Sequence, residues 1–412
     1  MKILHLSYSN YLGGASIAAQ RIHSSLKKIN LDSKMWVNKT NSKDFSVDGP
    51  SSKSTKLLIK LKSYLVRNFF KYIFNTQSEI MHSVSIIPSR WSKKINNSDA
   101  DIVHLHWIQD EMISIREIGE INKPIVWTLH DMWTFCGAEH YSENFRWVKG
   151  YFKENRPDNE SGFDLNKWTW ERKKKYWQKP MQIITPSKWL ANCVSKSALL
   201  NNWPLSVIGN PIDTDCWKPI NKKLVREHLN LKENAQTLLF GAIGGSKDPR
   251  KGFDLLIKAL KFLRTNKEKM PLELMIFGES SPKIKPDFGF PVHYMGHIQD
   301  ELSMQIIYNA ADVMIIPSRQ DNLPNSGIEA TACGTPLVAF DIGGMSDIVQ
   351  HKKTGYLAKA FDINDLSDGI LWVLGENNHD YLSKNARKET INKFSEKKIA
   401  HEYQKIYENL LI

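Results

Sequence analysis

The chain has 412 residues, 41% hydrophobic and 24% charged, with 22 Gly and 17 Pro. That is ordinary globular composition for two or three domains and excludes a disordered, collagenous or coiled-coil protein. The formal net charge is +12, and the whole excess lies in residues 1–200, the remainder being balanced; a basic half favours an anionic ligand or surface.

In chain order, Lys2 to Ser7 reads as a strand, Gly13 and Gly14 as a turn, and Ala15 to Asn30 as a helix with Ala18, Ile22, Leu26 and Ile29 on one face. The opening, MKILHLSYSNYLGG, is too short and polar for a signal peptide, and no later stretch offers 18 consecutive apolar residues. Lys53 to Phe74, KSTKLLIKLKSYLVRNFFKYIF, mixes six Lys/Arg with Leu, Ile and Phe and has no acid. It predicts a basic amphipathic helix, either packed on its own domain or resting on anionic headgroups. The expected location is the cytoplasm, with peripheral contact on the inner face of the cell membrane.

Further strands are predicted at Asp101 to Trp107, Pro124 to His130, Gln182 to Pro186 and Leu205 to Gly209. A charged, turn-rich stretch from Asp213 to Gln236 follows. A second series then runs through strand Thr237 to Ala242, helix Phe253 to Leu263 and strand Leu272 to Phe277. It continues with a helix near Leu302 to Asn309, strand Asp312 to Pro317, a helix from about Ser326, and strand Thr335 to Phe340. Alternating short apolar runs and helical periodicity predict an α/β protein of two Rossmann-like, doubly wound parallel-sheet domains facing a cleft. The domains are expected at 1–215 and 216–395, with 396–412 crossing back onto the first.

The most informative stretch is PSRQDNLPNSGIEATACGTPLVAFDIGGMSD, Pro317 to Asp347. A strand gives way to a loop carrying Asp321 and then to a helix start with Glu329 in its first turn. The N–H groups of a helix start favour a phosphate, and carboxylates flanking a polyanion are suited to accept hydrogen bonds from hydroxyls. In SKDPRKG, Ser246 to Gly252, Arg250 and Lys251 are placed to neutralise a diphosphate.

With these residues in place, the chain resembles the retaining glycosyltransferases of family 4, of the GT-B fold, and in HDMWTFCGAEHYS it resembles members that assemble bacterial surface polysaccharides such as lipopolysaccharide O-antigen. The motif of an acid, seven residues, Glu, an alanine-rich helix and a CGTPVV-like strand is matched by DNLPNSGIEATACGTPLVAF. The resemblance implies that Asp321 binds sugar hydroxyls and Glu329 the ribose. It implies also that Asn322, Leu323, Asn325 and Ser326 hold sugar and phosphate by backbone N–H groups, and that Gly13 and Gly14 approach the diphosphate. Base contacts are implied at Gly278 and at Gly296, His297 and Ile298, and His130 is implied near the donor sugar, so that His130, Asp321, Arg250 and Lys251 form the catalytic set. The departures are Asp321 where the family has Glu, Pro324 without an N–H, and Gly245 in place of an arginine.

The resemblance implies a UDP- or GDP-linked sugar donor, a saccharide acceptor expected to be lipid-linked, and no cofactor or metal. Two rivals are a nucleotide-sugar epimerase of the same fold and a non-catalytic, membrane-associated sugar-binding protein. His104 and His106 share a strand face, and with Trp107 they are the candidate acceptor side; joined to His130 and Asp131 they resemble a metal set less well than hydrogen-bonding residues lining the acceptor side or satisfied histidines of the core. Eleven of the 13 Trp precede residue 210, with Trp147, Trp168, Trp170 and Trp177 near the run Arg172 to Lys175, a pattern suited to sugar rings, a membrane interface or core packing. No nucleic-acid motif of the usual kinds is present, and no nucleic-acid partner is expected. Asp99 to Asp101 and Asp213 to Asp215 mimic a metal-binding DxD, for which turn roles suffice. The four cysteines, Cys136, Cys193, Cys216 and Cys333, lack CxxC spacing and read as reduced thiols of an intracellular protein.

Overall fold

A computed structural model describes residues 1–76, 80–241, 248–266, 271–284, 286–298, 300–375 and 378–412. The chain forms two compact units, Met1–Gly209 with Ile399–Ile412, and Asn210–Lys398. The expected junction after residue 215 lies a few residues further along the chain.

The first unit is built on strands β1 (Lys2–Ser9), β2 (Asp32–Lys39), β3 (Val47–Asp48), β5 (Ile102–Leu105), β6 (Ile125–Thr128), β8 (Gln182–Thr185) and β9 (Leu205–Val207), while β4 (Phe74–Thr76) and β7 (Glu160–Gly162) make a separate antiparallel ribbon. The sheet order is β3-β2-β1-β5-β6-β8-β9, parallel throughout. Side chains alternate between two cores, as the pleat requires. Ile3, Ile102 and Val126 join Ile22 and Leu26 on one face, while Leu4, Leu6, Val103 and Trp127 join Ile118, Met132 and Trp133 on the other. Burying both faces is what a parallel sheet with crossover helices demands.

The second unit carries β10 (Gln236–Gly241), β11 (Leu272–Phe277), β12 (Val292–Gly296), β13 (Val313–Ile316), β14 (Leu337–Phe340) and β15 (Gly355–Ala358) in the order β12-β11-β10-β13-β14-β15, again parallel. Leu239, Met275 and Met314 pack with Trp217 and Tyr308, and Leu238, Leu274 and Val313 pack on the opposite face with Leu256, Leu260 and Ile370. Each fully buried Leu, Ile or Phe contributes about 1.5–3 kcal/mol. The chain then returns: the helix Glu396–Leu411 buries Ile399, Ala400, Tyr403 and Tyr407 in the first unit's core beside Ile3 and Ile22.

Packing decides two readings that the sequence leaves open. Trp147, Trp170 and Trp177 are core residues, and Trp168 stacks among Phe70, Phe163 and the Arg172 guanidinium, so this cluster is structural and not a sugar platform. Within the basic run, Lys173 is buried with its ammonium donating to the carbonyls of Trp133, Cys136 and Gly137, and Arg172 donates to the carbonyls of Val84 and Ser85. Half of that run therefore braces loops instead of meeting an anion.

Candidate functional site

In the first unit the loops at the C-terminal end of the sheet carry the predicted residues. Gly13 opens the helix Gly13–Lys28 with φ near 84°. A Cβ there would meet nothing within 4 Å, so glycine is required by the backbone conformation and not by crowding. Gly14 follows in the same exposed first turn, which has no acidic residue and no side-chain cap.

His130 follows β6 and His106 follows β5, and the two rings meet at 3.3 Å between His106 Nδ1 and His130 Nε2. Burial pulls the His130 pKa down to about 4, which leaves the ring neutral at pH 7. His104 has a different position: its Nδ1 meets the Tyr407 hydroxyl at 2.7 Å and its Nε2 meets the Thr128 hydroxyl at 2.8 Å. Both nitrogens are thus engaged inside the core, and the expected acceptor-side role for His104 gives way to tying the last helix to the sheet. Trp107 donates its indole N–H to Asp131 Oδ2 at 2.9 Å, an oxygen shared with His140 Nδ1 at 2.6 Å. Burial opposes ionisation of Asp131, but His140, the Trp133 amide and Trp107 hold its pKa below the usual range. Among the described residues one histidine group is close enough to hold a metal, His5, His104 and His106, with ligand atoms within 4.8 Å of one another; the hydroxyls on both His104 nitrogens compete with that use.

In the second unit the C-terminal ends of β10 and β13 frame a hollow lined by Phe240, Gly241, Lys251, Ser318, Asp321 and Ser326 among others. Lys251 Nζ lies 2.6 Å from Asp321 Oδ2, so the two residues expected to take phosphate and sugar hydroxyls pair with each other here. Glycines allow the approach. Gly252 sits at φ near 67°, and a Cβ there would fall 1.8 Å from the Pro317 carbonyl oxygen; Gly343, at φ near 52°, would place one 2.0 Å from the Asp321 carbonyl oxygen. The Arg319 amide donates to the Arg250 carbonyl at 2.6 Å, closing the turn onto the loop.

Arg250 and Glu329 do not line this hollow. The Arg250 guanidinium turns to Asp248, Nη2 to Oδ2 2.6 Å, and Glu329 Oε2 accepts from the buried Tyr308 hydroxyl at 2.8 Å. Asn322 and Leu323 are buried, and Asn325 and Ser326 open the helix Asn325–Ala332, whose first turn holds no acid and no side-chain cap. Gly327 lies against Ile316 and Leu337, drawing that helix close to the sheet. Sequence reading missed Asn210, whose side-chain amide donates to the Leu323 carbonyl and to Asn325 Oδ1 at 3.3 and 2.9 Å. The signal the sequence offers for it is the tripeptide Asn210-Pro211-Ile212.

Gly278 and Gly296, both at positive φ, join through a Gly278 amide to Gly296 carbonyl bond of 2.8 Å; His297 beside them is exposed and Ile298 half-buried. Gly245, Ser246 and Lys247 lie outside the described residues. The DxD look-alikes have turn and surface roles. Asp99 pairs with Lys2, Asp101 accepts from the Lys2 amide, and Asp213 Oδ1 accepts the amides of Asp215 and Cys216. All four cysteines are free thiols.

Residues 237–376 match the family described as "Glycosyl transferases group 1", and residues 52–216 match "Glycosyltransferase Family 4". A D-inositol 3-phosphate glycosyltransferase of Gordonia bronchialis is 27% identical over 185 residues, 42% of this chain and 40% of that protein. A lipopolysaccharide 1,2-N-acetylglucosaminetransferase of Salmonella typhimurium is 25% identical over 246 residues, 55% of this chain and 62% of that protein. The match spans less than two thirds of either relative. Among solved structures, Anabaena HepE in complex with UDP and glucose superposes with a TM-score of 0.62 at 16% identity, over 98% of this chain and 99% of that one.

Proposed function

The chain belongs to glycosyltransferase family 4 and has the GT-B fold, and from that premise we propose that it is a retaining, metal-independent glycosyltransferase. Its donor is a nucleoside diphosphate sugar, UDP-linked or GDP-linked, and its acceptor a saccharide of the lipid-linked kind used in bacterial surface polysaccharide assembly. The observation that carries this reading is the Lys251–Asp321 pair in the hollow beside the start of the helix Asn325–Ala332. A cation and a row of helix-start N–H groups suit a pyrophosphate, and a carboxylate beside them suits the hydroxyls of the ring it bears, from which it accepts.

In this reading the incoming diphosphate takes Lys251 from Asp321, and Asp321 turns to the sugar hydroxyls. Arg250 leaves Asp248 to join the phosphate, while Glu329, already bonded to Tyr308 through one oxygen, presents the other to the ribose. His130, neutral at pH 7, orients the transferred sugar. As the glycosidic bond to phosphate breaks, the ring gains oxocarbenium character, and negative charge on the departing phosphate is stabilised by Lys251 and the helix start. The acceptor hydroxyl attacks on the face the phosphate leaves and passes its proton to that phosphate, so no protein nucleophile is required.

The exposed stripe Leu57, Leu58, Leu61, Tyr64, Leu65 and Phe69 on the helix Lys53–Ile73 supports peripheral contact with an anionic bilayer at the inner face of the cell membrane. Its opposite side is anchored, with Val66 and Phe70 against Val84, Ala138 and Leu165 and the Ser63 hydroxyl on the Asp110 carbonyl.

A panel of nucleotide sugars incubated with and without saccharide acceptors, in the presence of chelator and read by mass spectrometry, tests the proposal. The expected product is an elongated acceptor with the anomeric configuration kept. Donor isomerisation without acceptor would establish an epimerase; binding without turnover would establish a sugar-binding protein. Activity abolished by the chelator would overturn metal independence.

A further inference from the structure

The buried histidines of the first unit form a chain that leads to His130. His5, in β1, is fully buried, and its Nδ1 lies 2.9 Å from His106 Nε2. His106 Nδ1 in turn lies 3.3 Å from His130 Nε2. The His5 and His106 rings are nearly parallel, 14° apart in plane. At the inner end, His5 Nε2 is buried with no hydrogen-bond partner among the described residues. Burial drives the pKa values of His5 and His106 far below the ordinary histidine range, so all three rings are neutral at pH 7 and each carries one N–H.

A neutral ring in the middle of such a chain donates once and accepts once, which leaves two arrangements. Pointing inward, His130 Nε2–H donates to His106, His106 Nε2–H donates to His5, and the last proton sits on His5 Nε2 as a buried, unpaired N–H. Pointing outward, His5 Nδ1–H donates to His106 Nε2, His106 Nδ1–H donates to His130 Nε2, and His130 carries its proton on Nδ1. Only a lone pair is then left over on His5. Orphaned buried N–H groups are rarer in folded proteins than under-satisfied acceptors, and leaving a buried donor unsatisfied forfeits its full desolvation cost. The tautomer of a histidine is set by the bond its other nitrogen makes.

We propose that His5 and His106 are positioning residues that hold His130 in the Nδ1–H tautomer, so that it meets the donor sugar as a hydrogen-bond donor. The clause about the sugar rests on the role proposed for His130; the tautomer does not.

The test is a long-range 1H–15N spectrum of the histidine-labelled full chain at pH 7, with the His130 signals assigned by their loss in His130→Gln. The expected result is a protonated Nδ1 and an unprotonated Nε2 in His130. His5→Leu should move it toward the Nε2–H form that free imidazole side chains prefer, and His5→Asn, which keeps an N–H near the Nδ1 position, should restore it. Transfer should fall roughly tenfold in His5→Leu and recover in His5→Asn, with the KM for donor little changed. An Nε2–H signal for His130 in the unaltered protein would overturn the proposal, whatever the variants do. So would an Nδ1–H signal that a folded His5→Leu leaves unmoved. Should the tautomer be as expected while His130→Ala transfers sugar normally, the assignment stands and the role given to His130 in transfer fails.

Discussion

The two units have the same sheet architecture but handle their polar groups in opposite ways. In the first, histidines and a lysine are sealed inside and bonded to one another, to buried hydroxyls or to the backbone: His5 with His106, His104 with Tyr407 and Thr128, Lys173 with three carbonyls. In the second, the polar groups near the sheet's C-terminal end are partly exposed ion pairs, Lys251 with Asp321, Arg250 with Asp248 and Arg319 with Asp254. Sealed networks are set once, at folding, because breaking them strands a polar group in a low dielectric. Exposed pairs contribute little to stability and exchange readily. In the proposed reaction one unit would present fixed groups and the other would trade carboxylate partners for a phosphate.

The sharpest break of that contrast is Lys251→Ala. It should lower the transfer rate by roughly 10²–10³-fold, the size found when a single charge-stabilising donor is removed, a loss out of proportion to the fall in melting temperature that an unpaired, buried Asp321 brings. Circular dichroism and a transfer assay on the same preparation check both halves. A variant that melts early and transfers normally would reverse the assignment.

Lys173→Met should behave the other way. The substitution fills similar volume but leaves the carbonyls of Trp133, Cys136 and Gly137 without their shared donor, and should destabilise the first unit by about 3 kcal/mol. Transfer per folded molecule should be retained, as measured by denaturant titration beside activity at low temperature.

Acid separates the units as well. Burial lowers the pKa values of His23 and His130 to about 4, against about 6.5 in an unfolded chain. Below 6.5 the unfolded state binds protons that the folded state does not, so the contribution is whole above pH 6.5 and is lost as pH falls toward 4. For each such group the full loss is on the order of 3 kcal/mol. In the second unit His379 is the one described histidine whose pKa is lowered by burial. Hydrogen exchange at pH 7, 5.5 and 4.5 should therefore show the first unit opening first; equal opening in both would remove the distinction.

How much of this was legible beforehand follows the same division. The hydrophobic strands that lie inside each sheet, β1, β5, β6, β10, β11, β13 and β14, announce themselves as apolar runs. The strands β2, β12 and β15 do not, because DSKMWVNK and GYLA mix exposed or half-buried positions with buried ones and VHYMG is half-buried throughout. The Lys251 and Asp321 positions were readable from motif spacing, but their mutual pairing was not, since it depends on Gly252 and Gly343 letting two distant loops touch. Tyr308 under Glu329 and Asn210 under Leu323 are contacts across 21 and 113 positions, which no local pattern encodes. His104 and His106 looked alike because they alternate along one strand; the hydroxyls of Thr128 and Tyr407 separate them, and Tyr407 comes from a helix some 300 residues later.

The smallest expected effect concerns the helix Lys53–Ile73. Its exposed Leu57, Leu61, Tyr64 and Leu65 recur at helical spacing, with the exposed Lys53, Lys56 and Lys60 beside them. Such a surface is costly in water and gains both apolar burial and charge pairing on an anionic bilayer. Among the described residues no helix is long and apolar enough to cross a membrane. Leu61→Asp, a fully surface change, should leave the melting temperature within about 1 °C, since exposed substitutions rarely exceed ~0.5 kcal/mol. It should weaken cosedimentation with phosphatidylglycerol-containing vesicles several-fold, and leave binding to purely zwitterionic vesicles at its low starting value. If the unaltered protein failed to sediment with anionic vesicles at low salt, the stripe would have to be covered by something other than lipid, and the basic excess of the first unit would lose its explanation.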